Sequence, residues 1–238
     1  MNNISFLKYP LIAHRGIHYK YRENSIKAFR LAIIEGYTIE LDVHLTMDAK
    51  VIVFHDDNLK RLTGINKEIR KCSYQEIMNI IEVPTLEEVL DLVKGRSAVI
   101  IELKFDSKLG KLENEVAKIL DSYTGKFAIQ SFNPFSIIWF RFYRKNYVRG
   151  FLINSIFSKN SIIEYFLNKK LLYLLLKPNY LGVNLKYLRN NKIQKLRKKH
   201  LIIGYTINDN NQYSYYYKYA DNFICNIGKE PFNRLLNR

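Results

Sequence analysis

The chain has 238 residues, a length that suits one large domain or two small ones, and 47% of the residues are hydrophobic, which is enough for a substantial core. Its 38 lysines and arginines outnumber 22 acids, and a formal charge of +16 favours an anionic substrate, an anionic membrane or nucleic acid as partner, or only a solvated basic surface. No run approaches the roughly 20 apolar residues of a spanning helix, residues 1–10 lack a signal-peptide core, and two cysteines form no disulfide framework, so a cytoplasmic protein is predicted.

Short apolar runs alternate with longer amphipathic runs, a pattern typical of βα units around a parallel sheet. A strand is predicted at 9–13, and a helix follows that begins at Asn24 or Ser25 and stops at Gly36. After a second strand and a hairpin arm, residues 58–83 are predicted to be irregular or partly helical. Further strands are predicted at 98–104, 127–132, 150–153, 180–184, 201–206 and 222–226, with helices at 85–95, 109–122 and 134–145. Eight strands beside the hairpin arm predict an α/β fold, a single (β/α)8 TIM barrel domain spanning residues 1–238, with its chemistry at the strand carboxyl ends.

The second strand contains two acids, Glu40 and Asp42, inside an apolar run. Because side chains alternate between the faces of a strand, both acids point the same way, about 7 Å apart, as two carboxylates converging on one hard cation would. Only about eight residues separate this apolar run from the next one, which is too few for a parallel crossover, so an antiparallel hairpin is predicted. A tight turn near Asp48 would then place His55 opposite Asp42 or Glu40.

Several charged residues fall at the ends of predicted strands, and a barrel gathers such ends at one mouth. They are His14, Arg15, Glu40, Asp42, His55, Asp56, Glu102 and Lys104. Taken singly, a strand acid or a histidine is more often structural, and Arg15 has a buried ion pair with Glu40 or Asp42 as an alternative role.

At these residues the chain resembles the glycerophosphodiester phosphodiesterase family, a branch of the phosphatidylinositol phospholipase C-like TIM barrels. The matching segments follow the family's order and are dense over residues 12–133. They are His14-Arg15-Gly16, Glu23-Asn24, Glu40-Leu41-Asp42-Val43, Thr46, residues 53–56, 84–90 and 101–104, and Ser131-Phe132.

The resemblance implies metal-dependent hydrolysis of a small glycerophosphodiester to glycerol 3-phosphate and an alcohol. One Mg²⁺ or Ca²⁺ would be held by the carboxylates of Glu40, Asp42 and Glu102, since both ions prefer oxygen ligands. His14 and His55 would be general acid and base, in either order.

The resemblance also implies that Arg15 and Lys104 bind the substrate phosphate. Residues expected to support the site or form a wall for the substrate are Glu23, Asn24, Asp56, Ser131, Phe132 and Tyr205. Capping of the first helix is the simpler role for Glu23 and Asn24, and His44 is left undecided.

Two stretches depart from the family's pattern. Where the family commonly carries Trp-Thr, this chain has Tyr205-Thr206, and Tyr205 can still offer a flat wall. Near the last strand, Cys225-Asn226 replaces Thr-Asp and removes a charge. We expect these changes to affect substrate specificity more than catalysis.

Residues 132–151 and 162–181 are rich in aromatics and leucine interleaved with basic residues. Helix faces that pack on the barrel are the simpler interpretation, and a rim that rests on an anionic membrane, at its inner face, is the other. The basic residues are Arg141, Arg144, Lys145, Arg149, Lys169, Lys170 and Lys177.

Three further functional classes remain as alternatives. The first is a hydrolase acting as a lysophospholipase D or on a glycerol-phosphate polymer or glycan. The second is a catalytically silent phosphate- or membrane-binding protein. The third, a nucleic-acid binder, depends on net charge alone, because the charge is dispersed and no binding motif is recognisable.

Overall fold

A computed structural model describes residues 4–104, 108–154 and 175–228 of the chain. The strands of these residues are β1 (Ile12–His14), β2 (Thr38–Leu45), β3 (Val51–Val53), β4 (Val99–Leu103), β5 (Phe127–Ser131), β6 (Val148–Ile153), β7 (Tyr180–Asn184), β8 (Leu201–Ile207) and β9 (Asn222–Cys225). Eight of them form a closed ring of parallel strands in the order β1-β9-β8-β7-β6-β5-β4-β2, completed by pairing of β1 with β2. The predicted TIM barrel is confirmed, and β3 is the predicted hairpin arm, antiparallel to β2.

Helices surround the ring. They are α1 (Ile26–Ile34), α2 (Lys60–Thr63), α3 (Tyr74–Met78), α4 (Leu86–Val93), α5 (Lys111–Asp121), α6 (Pro134–Tyr143), α7 (Leu185–Leu188), α8 (Asn191–Arg197) and α9 (Asn210–Tyr216), with 3₁₀ turns at Ser5–Leu7, Ile69–Lys71 and Tyr217–Tyr219. Among the described residues, no helix is long and apolar enough to cross a membrane.

Alternation along the strands separates an outer core from the barrel interior. Ile39, Leu41 and Val43 of β2 point outward into the large cluster shared with the helices, so the acids between them point inward. A second apolar cluster, which includes Ile12 and Tyr180, fills the interior. Burial of each such side chain stabilises the fold by about 1.5–3 kcal/mol, and the polar residues of β2 are therefore confined to the inner face.

The hairpin is confirmed, but its predicted register is wrong by one residue. Val43 pairs with Val53, and Phe54, not His55, lies opposite Asp42 and donates its amide to the Asp42 carbonyl at 3.0 Å.

The turn explains this error. The Thr46 amide donates to the Lys50 carbonyl at 2.9 Å, and the three residues between them include Ala49 at φ +61°. A three-residue loop shifts the pairing by one position relative to a two-residue turn. Consequently β3 ends at Val53, and His55 lies on the loop beyond the strand.

The segment between β3 and α4 has a small core of its own. Its buried members are Ile52, Phe54, Leu59, Ile69, Cys72, Ile77 and Val83. Backbone hydrogen bonds of 2.8 Å from Met47 to Cys72 and from Val53 to Pro84 join this segment to the hairpin. The segment predicted to be irregular or partly helical is therefore an ordered, partly helical subdomain beside the barrel mouth.

Candidate active site

A pocket of about 450 Å³ opens at the carboxyl ends of the barrel strands. Its lining includes most of the predicted site residues, namely His14, Arg15, Glu40, His55, Glu102, Lys104, Phe132 and Tyr205. The strand register explains this convergence: His14 is level with Glu40, and Asp42 is level with Glu102.

Three carboxylates are clustered at the base of the pocket, where Glu40 and Glu102 line it and Asp42 lies beside them. Oxygen atoms of Glu40, Asp42 and Glu102 all lie within 4.8 Å of one another, and these residues are only 1%, 1% and 7% exposed. Lys104 Nζ bridges two of them, at 2.8 Å from Asp42 Oδ1 and 2.5 Å from Glu102 Oε1.

Arg15 contacts the same cluster through its backbone and its side chain. The amide donates to Glu40 Oε2 at 3.2 Å, and Nε lies 3.2 Å from Asp42 Oδ2. The buried ion pair considered from the sequence is therefore present, with Asp42 as partner. Nη1 donates to Glu23 Oε1 at 3.0 Å.

Asn24 serves the site instead of the helix. Its Nδ2 donates to Asp42 Oδ2 at 2.9 Å, whereas Ser25 caps α1 by accepting the Ala28 amide. Capping by Asn24 was one of two predicted alternatives, and it is wrong. The residue adopts φ +53°, a conformation that asparagine tolerates better than most residues, and this turn brings the amide back over β2.

The cluster has more carboxylates than basic side chains in contact with it. Burial raises the pKa of Glu40 well above its usual range, with the charges of Asp42 and Glu102 adding to the effect. Burial also raises the pKa of Glu102 to about 7, although Lys104 opposes the rise. Burial acts in the same direction on Asp42, but Lys104 and Arg15 outweigh it and hold the pKa of Asp42 well below its usual range.

Glu40 accepts its side-chain hydrogen bond from a neutral donor. Gln130 Nε2 lies 3.3 Å from Glu40 Oε1, and Tyr180 in turn donates to Gln130 Oε1 at 3.1 Å. Three clustered carboxylates in contact with only two basic side chains fit a divalent cation, and their hard oxygen donors suit Mg²⁺ or Ca²⁺.

The two histidines each have Nδ1 fixed by a neighbour. His14 Nδ1 lies 2.7 Å from Asn226 Oδ1, and Asn226 is oriented because its Nδ2 donates to Asn208 at 2.6 Å. Since an amide oxygen only accepts, Nδ1 of His14 carries the hydrogen and Nε2 keeps its lone pair. Burial, with the charge of Arg15, lowers the pKa of His14 to about 4.

His55 is held through its side chain and its carbonyl. Nδ1 lies 2.6 Å from Asp56 Oδ1, and His44 Nε2 donates to the His55 carbonyl at 3.2 Å. Burial lowers the pKa of His55, while the charge of Asp42 opposes that shift. His44 therefore supports the loop that carries His55.

The predicted substrate wall is partly at the pocket. The Phe132 ring is exposed and meets the Tyr205 ring edge-on, with centroids 6.0 Å apart. The Tyr205 hydroxyl donates to the Ile153 carbonyl at 2.8 Å. Ser131 is buried, and its hydroxyl donates to the Leu103 carbonyl at 2.8 Å, so it supports the strand end.

Three contacts with predicted site residues were not expected from the sequence, namely those made by Gln130, Asn226 and Arg61. Gln130 had a usable signal, because it is a polar residue in an apolar strand. Asn226 was noted only as a departure from the family, yet its contact with His14 shows that the change reaches a predicted proton-transfer residue. Arg61 donates to Asp56 and Glu23 from the ordered subdomain, away from any strand end, so these contacts depend on tertiary structure.

The sequence matches the profile of the glycerophosphoryl diester phosphodiesterase family over residues 14–228, and the chain belongs to this family. A glycerophosphodiester phosphodiesterase of Bacillus altitudinis is 34% identical over 112 residues, which are 42% of this chain and 46% of that protein. The chain thus spans about half the length of such curated relatives.

Solved structures agree with the fold. A glycerophosphodiester phosphodiesterase of Thermotoga maritima superposes with a TM-score of 0.78 and 27% identity, over 97% of this chain and 99% of that one. A phosphodiesterase of Oleispira antarctica, solved with its product sn-glycerol-3-phosphate, gives a TM-score of 0.83 with 21% identity over 95% and 96% of the two chains. At that identity the second likeness concerns the fold alone.

We expect the affinity for Mg²⁺ and Ca²⁺ to rise between about pH 6 and pH 8. The pKa of Glu102 is raised to about 7, so this carboxyl holds a proton at the lower pH, and a cation must displace it. The raised pKa of Glu40 acts in the same direction. Calorimetric titration in buffers of different ionisation enthalpy would measure both the affinity and the protons released.

Glu102→Gln should weaken this binding, whereas Glu115→Gln, at a partly exposed residue of α5 that pairs with Lys118, should leave it unchanged. An affinity that does not change with pH, or equal effects of the two variants, would contradict a cation site at the cluster.

Proposed function

We propose that the chain is a glycerophosphodiester phosphodiesterase that hydrolyses a small glycerophosphodiester to glycerol 3-phosphate and an alcohol. The observation that carries this proposal is the convergence, at one pocket, of two imidazoles, two basic side chains and three buried carboxylates. Membership of the family supports the same reaction. A silent binding protein would not require two histidines whose Nδ1 atoms are both fixed by hydrogen bonds.

Arg15 and Lys104 bind the substrate phosphate in this proposal. Both line the pocket, and their side chains keep 14% and 15% of their surface exposed while paired with Asp42. They can therefore turn part of their donor capacity toward an anion without leaving the cluster. The planar guanidinium suits two phosphate oxygens, and the ammonium adds a point charge.

Glu40, Asp42 and Glu102 would hold one divalent cation, Mg²⁺ or Ca²⁺. When bound, such an ion polarises the phosphate and neutralises the charge that develops during hydrolysis. The protein's part is to keep three carboxylates together in a buried site, which Arg15, Lys104 and Asn24 do by contacting Asp42.

His14 acts as general base and His55 as general acid. The neutral His14, with a pKa of about 4, presents the lone pair of Nε2 to the attacking oxygen. His55 is better placed to carry the second proton, because Asp56 contacts its Nδ1 at 2.6 Å and would stabilise an imidazolium. That proton passes to the leaving alcohol as its P–O bond breaks.

We expect the purified protein to release glycerol 3-phosphate from glycerophosphocholine with Mg²⁺ or Ca²⁺, and to lose this activity in EDTA. His14→Ala and His55→Ala should each lower kcat by about 10²–10⁴-fold, since each removes a positioned proton-transfer group. Enzyme-coupled detection of glycerol 3-phosphate would measure the rates.

His200→Ala, which changes a histidine at the opposite end of the barrel before β8, is the control and should retain activity. Near-parental rates in both site variants would refute the proton-transfer roles. Faster turnover of lysophosphatidylcholine than of glycerophosphocholine would contradict the proposed small substrate and would indicate a lipid substrate instead.

Contact with an anionic membrane forms a second part of the proposal. The predicted basic rim needs correction: Arg149 is buried and donates to the Lys145 and Tyr147 carbonyls, and Lys169 and Lys170 lie outside the described residues. A different surface supports the idea. It is a groove of about 880 Å³ between the hairpin tip and the helices α5 and α6.

This groove combines positive charge with exposed apolar side chains. Its described lining includes five basic residues, Arg70, Lys71, Lys108, Lys111 and Arg144, against one acid, Glu115. Of these, Arg70 and Lys71 also pair with Glu68, and Arg144 pairs with Asp121. Met47, Leu109 and Tyr143 are exposed beside them. Basic residues beside exposed apolar ones suit the surface of an anionic bilayer.

We expect the protein to sediment with vesicles containing phosphatidylglycerol at low salt and to be released at high salt, because screening weakens surface attraction. Lys108→Glu with Lys111→Glu should abolish sedimentation, whereas the same charge change at Lys192 and Lys195, on α8, should weaken it much less. Failure to bind at low salt, or equal loss in both double variants, would reject this surface.

A further inference from the structure

One guanidinium joins two loops at the edge of the pocket. Arg61, in α2 of the ordered subdomain, donates through Nε to Asp56 Oδ2 at 2.5 Å. Its Nη1 donates to Glu23 Oε2 at 3.2 Å, and its Nη2 donates to Glu23 Oε1. Glu23 belongs to the loop between β1 and α1, and Asp56 to the loop after β3.

Each of these two carboxylates also contacts a predicted site residue. Asp56 uses its other oxygen, Oδ1, for Nδ1 of His55 at 2.6 Å. Glu23 Oε1 accepts from Nη1 of Arg15 at 3.0 Å. A continuous chain of contacts therefore runs from Arg15 through Glu23, Arg61 and Asp56 to His55.

The backbone that carries Arg61 is fixed by the subdomain core. Leu59, two residues earlier, is fully buried in that core, and the Thr63 hydroxyl donates to the Leu59 carbonyl at 2.8 Å. The side chain is therefore anchored at its base, and its three nitrogen atoms are directed to oxygen atoms of two carboxylates.

These contacts cannot contribute much to stability. The Arg61 side chain is 45% exposed, and an ion pair at such a position is worth little because water and salt screen it. The geometry, in contrast, is specific: the planar guanidinium binds Glu23 through two nitrogen atoms and Asp56 through the third, and an ammonium group cannot reproduce the two-nitrogen contact with Glu23.

We propose that Arg61 is a positioning residue, which sets the His55 imidazole through Asp56 and the Arg15 guanidinium through Glu23. The inference rests on the proposed function, in which these two groups serve as acid and phosphate ligand. It assigns a role in the active site to the subdomain, since the residue that joins the two loops comes from there.

The test compares Arg61→Met with Lys67→Met. Lys67 lies in the same subdomain and is basic and exposed like Arg61, but it lines neither the pocket nor the groove between the hairpin tip and the helices α5 and α6. We expect Arg61→Met to lower kcat/KM for glycerophosphocholine by about 10- to 100-fold, as loss of outer contacts around a site commonly does. Both variants should melt close to the parent temperature, and Lys67→Met should keep parental kinetics.

Two further measurements separate positioning from general stability. In an Asp56→Asn background, Arg61→Met should lower kcat much less than in the parent, because the path to His55 is already cut. Arg61→Lys should restore only part of the lost activity, since a single nitrogen cannot reproduce the two-nitrogen contact with Glu23. Additive effects in the double variant would overturn the proposal.

A readout without turnover distinguishes this inference from the proposed function. An inactive parent protein would refute the function, and the Nδ1–H resonance of His55, assigned by His55→Gln among only five histidines, would still report positioning. Arg61→Met should shift or broaden that resonance, and Lys67→Met should not. An unchanged resonance, or kcat and KM within twofold of the parent for Arg61→Met, would overturn the role of Arg61.

Discussion

The structure depends on holding three carboxylates together out of water at the mouth of the barrel. Burying an unpaired charge is costly, and like charges at this distance add to that cost. The charge of Asp42 is compensated most directly, because Arg15, Lys104 and Asn24 all contact it. The pKa values of Glu40 and Glu102 are raised, and a divalent cation would stabilise the ionised form of both carboxylates.

Local backbone geometry makes this cluster attainable. Arg15 and Asn24 adopt φ values of +55° and +53°, which turn the loop between β1 and α1 back over the acids. Gly16, at φ +77°, allows the sharp bend, since a Cβ there would lie 2.8 Å from the Ala28 carbonyl carbon. The loop, the second strand and the subdomain thus act together, and the chain of contacts through Arg61 extends that arrangement to His55.

The sequence allowed the barrel and most pocket residues to be predicted, because strand alternation and strand ends are local patterns. Glu40, Asp42 and Glu102 followed from that alternation and from the family resemblance. The hairpin register did not, since two- and three-residue turns differ by one position and Ala49 gives no glycine signal. No sequence spacing predicts contacts between residues far apart in the chain, such as those of Asn226 with His14 and of Arg61 with Glu23.

The central claim is that these carboxylates form one cation site, and anomalous diffraction from crystals soaked in Ca²⁺ tests it most directly. The account predicts a peak about 2.3–2.6 Å from oxygen atoms of Glu40, Asp42 and Glu102. A peak elsewhere, or none at a Ca²⁺ concentration that supports turnover, would contradict it.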